Sequence, residues 1–357
     1  MWTKAETETM RPSVSGAGFV TLDVRLDQAS RVTYRGVGGT TGNVLSILAF
    51  FGWRSVPVVR VGSDQIGREV LREFTELGVD VRYIGAESAL ETPLTFQFAA
   101  HASSPPRYAF ECPSCGKARR FTRELIDTGF RAALDDVSST NVFFFDRVTA
   151  GAVEMAEAAR EGGAVVFFEP SSVASDSGLF TKALRASHVV KYSADRIPGS
   201  LSDLLDSDFV EIQTMGARGL RFRKHSLAPD WVTLPALRVN GVADTSGAGD
   251  WCSAGFIHAL EQIAQDCAPQ DLCYNEIYDS LRRAQAIAAL SCRHVGARGL
   301  MRAAHADAAI SDAIRILQDH QYGLADVEPA SEAAYLRAET SLTDRNPIRN
   351  LCCQTLV

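Results

Sequence analysis

The sequence predicts an α/β protein with a doubly wound, mostly parallel central sheet flanked by helices, and a small projecting β-sheet. Three observations carry this. Apolar runs of four or five residues recur at 142–145, 165–168, 188–191 and 209–213, separated by helix-compatible stretches. Such runs suit strands buried on both faces of a parallel sheet. The β-rich segments near 31–37 and 92–110 fall outside the alternation and fit a small sheet lying over the strand ends. Finally, 357 residues with 46% apolar and 22% charged side chains can bury a full core.

The elements follow in order. Residues 1–14 are polar and read as a flexible tail. Residues 18–24 read as the first strand and 32–34 as another. Residues 43–51 read as an apolar helix stopped by Gly52, and 57–61 as a strand. Residues 67–77 have amphipathic helical spacing up to Gly78. Residues 92–101 favour β-structure. Pro105, Pro106, Pro113 and Gly116 make 103–120 a loop. A helix is expected over 151–161. The apolar residues of 232–242 lead into a turn at 244–250, a long helix-compatible stretch follows, and a last helix is expected over 308–318. The expected organisation is a tail over 1–14, one domain over 15–310 with its small sheet drawn from 31–37 and 92–120, and an extension over 311–357.

Bulk properties narrow the function classes. A net charge of −7 and the lack of a long basic block argue against nucleic acid as a partner. The start has no apolar core, so no signal peptide is expected. The most apolar segment, 44–61, is broken by Gly52, Arg54, Pro57 and Arg60 and does not read as a membrane span. Eight cysteines without a secretory signal are expected to stay reduced in the cytoplasm. Cys112-Pro-Ser-Cys115 is the only CxxC and has no second pair to complete a zinc site, so these read as ordinary thiols.

The most informative segment is Asp244-Thr-Ser-Gly-Ala-Gly-Asp250. Gly247, Ala248 and Gly249 would form a turn entering a helix N-terminus, where free amides and the helix dipole favour an anion. Asp250 would stand beside that cradle. A carboxylate there makes sense as a base acting on a nucleophile while the cradle holds a phosphoryl group.

This heptapeptide resembles the signature of the ribokinase-like (PfkB) carbohydrate kinases, and the resemblance extends over about residues 15–310. It implies that Asp250 deprotonates the acceptor hydroxyl and that Gly247, Ala248 and Gly249 form the anion hole. Gly38-Gly39-Thr-Thr-Gly-Asn43 resembles the family's Gly-Gly-x-x-x-Asn motif, and 61–67 its next Val-Gly-x-Asp-x-x-Gly block. With Asp23 they imply a sugar site of Asp23, Gly38, Gly39 and Asn43. On the nucleotide side, 213–219 is similar to the Thr-x-Gly-x-x-Gly segment, implying Thr214, Gly216 and Gly219. The Ala-rich stretch with Gln285 is similar to the adenine-flanking helix. Residues 190–195 occupy the Asn-x-x-Glu region, bringing in Lys191 and Ser193. Here the chain departs from the family. Ser193 stands for the Asn and Arg196 for the Glu, with Asp195 one position early as the candidate metal ligand.

The resemblance implies ATP and Mg²⁺ as cofactors, with a monovalent cation such as K⁺ a further option, and a homodimer is compatible with it. Thr40 and Thr41 stand where members acting on phosphosugars often carry Lys. This favours a free sugar or related polyol, unless Arg107, Lys117, Arg119 or Arg120 reaches the site. Alternatives are a nucleoside kinase of the same family, a non-catalytic ribokinase-like binding or regulatory protein, and a dinucleotide oxidoreductase. The last rests on Gly36-Val-Gly38-Gly39-Thr-Thr41, which lacks the final glycine of the dinucleotide fingerprint.

Overall fold

The computed structural model describes residues 11–27, 30–98, 107–205, 208–264 and 271–322. Residues 1–10 of the tail expected over 1–14, 103–106 of the loop expected over 103–120 and 323–357 of the extension expected over 311–357 lie outside them. The strands are β1 (Ser13–Ala17), β2 (Thr21–Leu26), β3 (Val32–Gly38), β4 (Arg54–Pro57), β5 (Val59–Gly62), β6 (Ile84–Glu87) and β7 (Leu94–Phe98). They continue with β8 (Arg107–Ala109), β9 (Val142–Phe145), β10 (Val165–Phe168), β11 (Val189–Ser193), β12 (Val210–Thr214), β13 (Leu220–Lys224) and β14 (Ala228–Leu234).

Eight strands form the central sheet in the order β14-β13-β12-β11-β10-β9-β1-β4. From β12 to β4 all neighbours are parallel, while β13 and β14 add an antiparallel edge. Helices cover both faces. On one side Thr40–Phe50, Ala248–Ile263, Tyr274–Ser291 and Ala306–Tyr322 bury Leu45, Leu48, Trp251, Phe256 and Leu281 against Phe144, Phe167 and Ile212. On the other, Ala150–Glu161 and Ser177–Ala186 bury Met155, Ala156 and Phe180 against Phe143, Phe145 and Phe168. The phenylalanine-rich runs of β9 and β10 thus pack on both sides, which is why they alternate nothing polar.

A separate four-stranded sheet has the order β3-β2-β7-β8. One face of it is apolar: Leu22, Val24, Leu26, Val37, Leu94 and Phe96 pack on Val70 and Phe74 of helix Gln65–Glu76. Asp23 and Arg25 alternate with these residues and therefore point to the opposite face.

The structure corrects several local readings. The strand expected over 18–24 falls between two elements, after β1 and into β2. The chain leaves the central sheet at Ala17, bends at Gly18 and enters the small sheet at Thr21, so Asp23 lies mid-strand in the small sheet and not at the end of the first central strand. The central strand begins at Ser13, inside the segment expected as a tail. Residues 103–120 hold β8 and a bridge between Glu111 and Ala118. Of the apolar residues over 232–242, only those up to Leu234 are in a strand, which ends ahead of Pro235. Helix Ser177–Ala186, capped by the Asp176 carboxylate, has no counterpart in the sequence reading.

Candidate active site

The strand order reverses at β1, whose neighbours are β4 and β9. A crevice opens beyond the carboxyl ends of the strands at such a switch. Each parallel strand end delivers a polar residue there: Asp146 after β9, Glu169 after β10, Ser193 at β11 and Thr214 at β12. Asp146 is a fully buried anchor. Its Oδ1 accepts hydrogen bonds from the Phe19 amide (2.7 Å) and Thr41 Oγ1 (2.8 Å), and its Oδ2 faces Arg147 Nη1 at 2.8 Å. It ties the crossing into the small sheet to the start of helix Thr40–Phe50.

Helix Ala248–Ile263 enters the crevice by its N-terminus. Gly247 is the N-cap, with φ 76° and no side chain capping the first turn. That conformation favours glycine, and a Cβ there would lie 2.6 Å from Ala297. The Ala248 amide bonds the Thr245 carbonyl at 3.3 Å, and the Gly247 and Gly249 amides flank it at a helix N-terminus, where an anion is favoured. Asp250 follows in the same turn, its Oδ2 accepting a hydrogen bond from Asn43 Nδ2 at 2.7 Å. Asn43 Oδ1 is buried and has no partner. Burial pushes the Asp250 carboxyl up to about 8, the Glu169 charge adds to this, and the Asn43 hydrogen bond and Lys191 pull the other way.

Asp23 reaches the same place from β2. A Cβ at Gly38 would sit 2.0 Å from Asp23 Cγ, so the carboxylate occupies the space that glycine leaves. Gly39 is the N-cap of the helix carrying Asn43, and its carbonyl accepts from the Asn43 amide at 2.8 Å. Burial raises Asp23 to about 7, opposed by Arg298 and reinforced by Glu73. Arg298 is buried and bonds Tyr34 and Glu73 at 2.9 and 2.6 Å. Asp23, Gly38, Gly39, Asn43, Asp250 and the Gly247–Gly249 turn therefore form one cluster.

Lys191 lies beside the Gly247–Gly249 turn. Its Nζ is 2.5 Å from Glu169 Oε1 and 3.9 Å from where a Gly249 Cβ would be. The second Glu169 oxygen accepts from Ser253 Oγ, which also bonds the Gly249 carbonyl at 3.2 Å. Burial alone would lower the Lys191 amine; the Glu169 carboxylate outweighs it and the net direction is upward.

Thr214, Gly216 and Gly219 follow β12, and a Cβ at Gly219 would lie 2.2 Å from the Leu234 carbonyl. Gln285 donates to the Leu234 and Pro235 carbonyls at 3.2 Å each and accepts from Arg282. Gln285 and Gly219 thus border the same stretch, and the Gln285 amide is engaged with backbone. Ser193 Oγ accepts from the Asp195 amide at 3.3 Å, and Asp195 is exposed. Among the described residues no three His, Cys, Asp or Glu side chains converge as a metal cage. Cys112 is buried in the small sheet's core, and Cys115 is exposed.

The sequence reading missed Asp146, Glu169 and Arg298. A signal existed for the first two: each is a lone acid directly after four apolar strand residues, at the end where ligands bind.

Comparison with known proteins bears on the fold and the family. Residues 210–304 match the family described as pfkB family carbohydrate kinase. The bifunctional protein HldE of Mesorhizobium japonicum is 24% identical over 244 residues, which is 64% of this chain and 48% of that protein. The chain therefore spans about half the length of the curated relative it matches. Ribokinase from Giardia lamblia superposes with a TM-score of 0.68 at 17% identity, covering 85% of this chain and 99% of that one. Fructokinase from Xylella fastidiosa, solved with bound ATP, gives 0.65 at 21%, covering 87% and 99%. The fold is ribokinase-like. Together with the family match, it bears out the resemblance to the PfkB carbohydrate kinases.

Proposed function

We propose that the protein is an ATP-dependent kinase that phosphorylates a hydroxyl of a free sugar or related polyol. The observation that carries this is the Asn43–Asp250 pair at the mouth of an uncapped helix N-terminus, with Asn43 Oδ1 buried and unpartnered. One polyol hydroxyl can donate to that oxygen and another to Asp23, which brings a third hydroxyl against Asp250. Asp250 takes the proton as the hydroxyl attacks the γ-phosphate in line, and the Gly247–Gly249 amides hold the charge that develops on the phosphoryl oxygens. The upward displacement of Asp250 suits a base working near neutral pH.

Residues around Thr214, Gly216, Gly219 and Gln285 would receive the nucleotide, with Lys191 placing positive charge under the phosphates. Mg²⁺ would neutralise phosphate charge there. Mg²⁺ is commonly held by phosphates, water and one or two carboxylates, and Asp195 is the exposed carboxylate on that side.

The cations that could have signalled an anionic acceptor are engaged elsewhere. Arg119 pairs with Asp64, Lys117 with Glu91 and Arg120 with Glu111, while Arg107 lies over the Phe98 ring. This supports an uncharged acceptor. The test is Asp250→Asn: phosphorylation lost with acceptor binding retained supports the reading, and near-wild-type turnover overturns it.

A further inference from the structure

The small sheet touches the anion-hole turn through one hydroxyl. Registry places Tyr34, Arg25, Gln97 and Tyr108 in a single cross-strand row on the sheet's polar face. Gln97 Nε2 donates to Ser246 Oγ at 2.7 Å, and Tyr108 OH donates to the same oxygen at 2.9 Å. Ser246 Oγ in turn donates to Asp244 Oδ1 at 2.6 Å. One proton given and two lone pairs filled leave that hydroxyl saturated. Asp244 continues the chain. It accepts from the Ser246 amide at 2.9 Å and the Gly296 amide at 2.9 Å, and Arg25 Nη1 stands 3.8 Å from it. Gln97, Ser246 and Asp244 are all buried.

Ser246 directly precedes Gly247, the cap on which the anion hole turns. Ala297 packs against this turn at Gly247, and the Ser246 hydroxyl is held by Gln97 of β7, Tyr108 of β8 and the Asp244 carboxylate. Asp23, on the acceptor side, shares its strand face with Arg25. Asp23 and the row that reaches Ser246 therefore lie on one face of the small sheet, in adjacent cross-strand rows.

We propose that Gln97 and Tyr108 are positioning residues for phosphoryl transfer: through Ser246 they set the anion-hole turn when the small sheet lies over the site. This rests on the kinase reading above. Removing a tie shifts the turn without removing any group that touches either reactant. Such displacement lowers turnover and leaves binding largely intact.

The experiment uses full-length Tyr108→Phe, Ser246→Ala, Ser246→Thr and the Tyr108→Phe/Ser246→Ala double variant. Tyr108→Phe should lower kcat about tenfold with acceptor KM changed less than about twofold. Ser246→Ala should lower it at least as much, the double variant no further, and Ser246→Thr should restore it by keeping the hydroxyl. Multiplying effects, or a change in KM alone, overturn the proposal. Amide hydrogen exchange tests the tie without turnover. Residues 242–250 should exchange faster in Tyr108→Phe than in the wild-type chain, and unchanged exchange overturns the proposal. If the wild-type chain phosphorylates no acceptor, the kinase reading fails while the exchange result still decides whether the tie exists.

Discussion

Replacing Asp250 by Asn should uncouple stability from pH and remove turnover together. Burial in the cleft moves this carboxyl from its ordinary 3.8 to about 8. Between those values the folded chain keeps a proton that the unfolded chain has released. The favourable contribution is complete below the unfolded value and is lost as pH rises through the folded one. The loss is about 1.4 kcal/mol per pH unit. From pH 5 to pH 8 that would be about 4 kcal/mol for a group sealed from water. Asp250 is only partly shielded by its own accessible surface, and solvent screening reduces the expected change to about 2 kcal/mol. Asn has no charge to bury, and its carbonyl oxygen can still accept the Asn43 hydrogen bond. The melting temperature of Asp250→Asn minus that of the wild-type chain should therefore grow by about 4 °C between pH 5 and pH 8, and level off above it. Wild-type kcat/KM should rise with pH over the same range, and the variant should lose about a thousandfold in kcat. A melting difference that is flat or shrinks with rising pH would refute the burial argument.

Three other perturbations separate the two halves of the site. Gly38→Ala puts a methyl where the Asp23 carboxylate lies, so acceptor KM should rise about tenfold while ATP KM holds, as initial-rate kinetics would show. Gln285→Ala frees the Leu234 and Pro235 carbonyls; ATP KM should rise several-fold with acceptor KM unchanged, and the reverse pattern would displace the nucleotide from this side. Lys191→Met leaves Glu169 without its cation, so thermal or urea unfolding should register a loss of about 3 kcal/mol, together with a higher ATP KM.

Legibility in the sequence followed local chemistry. Val142–Phe145 and Val165–Phe168 stood out because strands buried on both faces need unbroken apolar runs. The heptapeptide was legible because glycine, small residues and an acid at a helix entrance have few other uses. Ser13–Ala17 was not, since its small residues answer to neighbours distant in sequence: Gly16 lies against Leu45 and the Phe144 carbonyl. The break at Gly18 was likewise hidden, because the space beyond it belongs to Asp146 and Thr41. Asp23 was picked as a candidate but assigned to the wrong sheet for that reason. Arg298 forms no local motif; only folding brings it to Glu73 and Asp23.

The central claim, transfer of phosphate from ATP to a free sugar, is tested most directly by ADP release from the full-length chain with ATP and Mg²⁺ against a panel of free sugars, polyols and nucleosides. ADP should appear only when a free sugar or polyol is added, and in proportion to a phosphorylated product. ADP release with nucleosides alone would assign the site to the other branch of the fold. Silence across the panel would contradict kinase activity altogether.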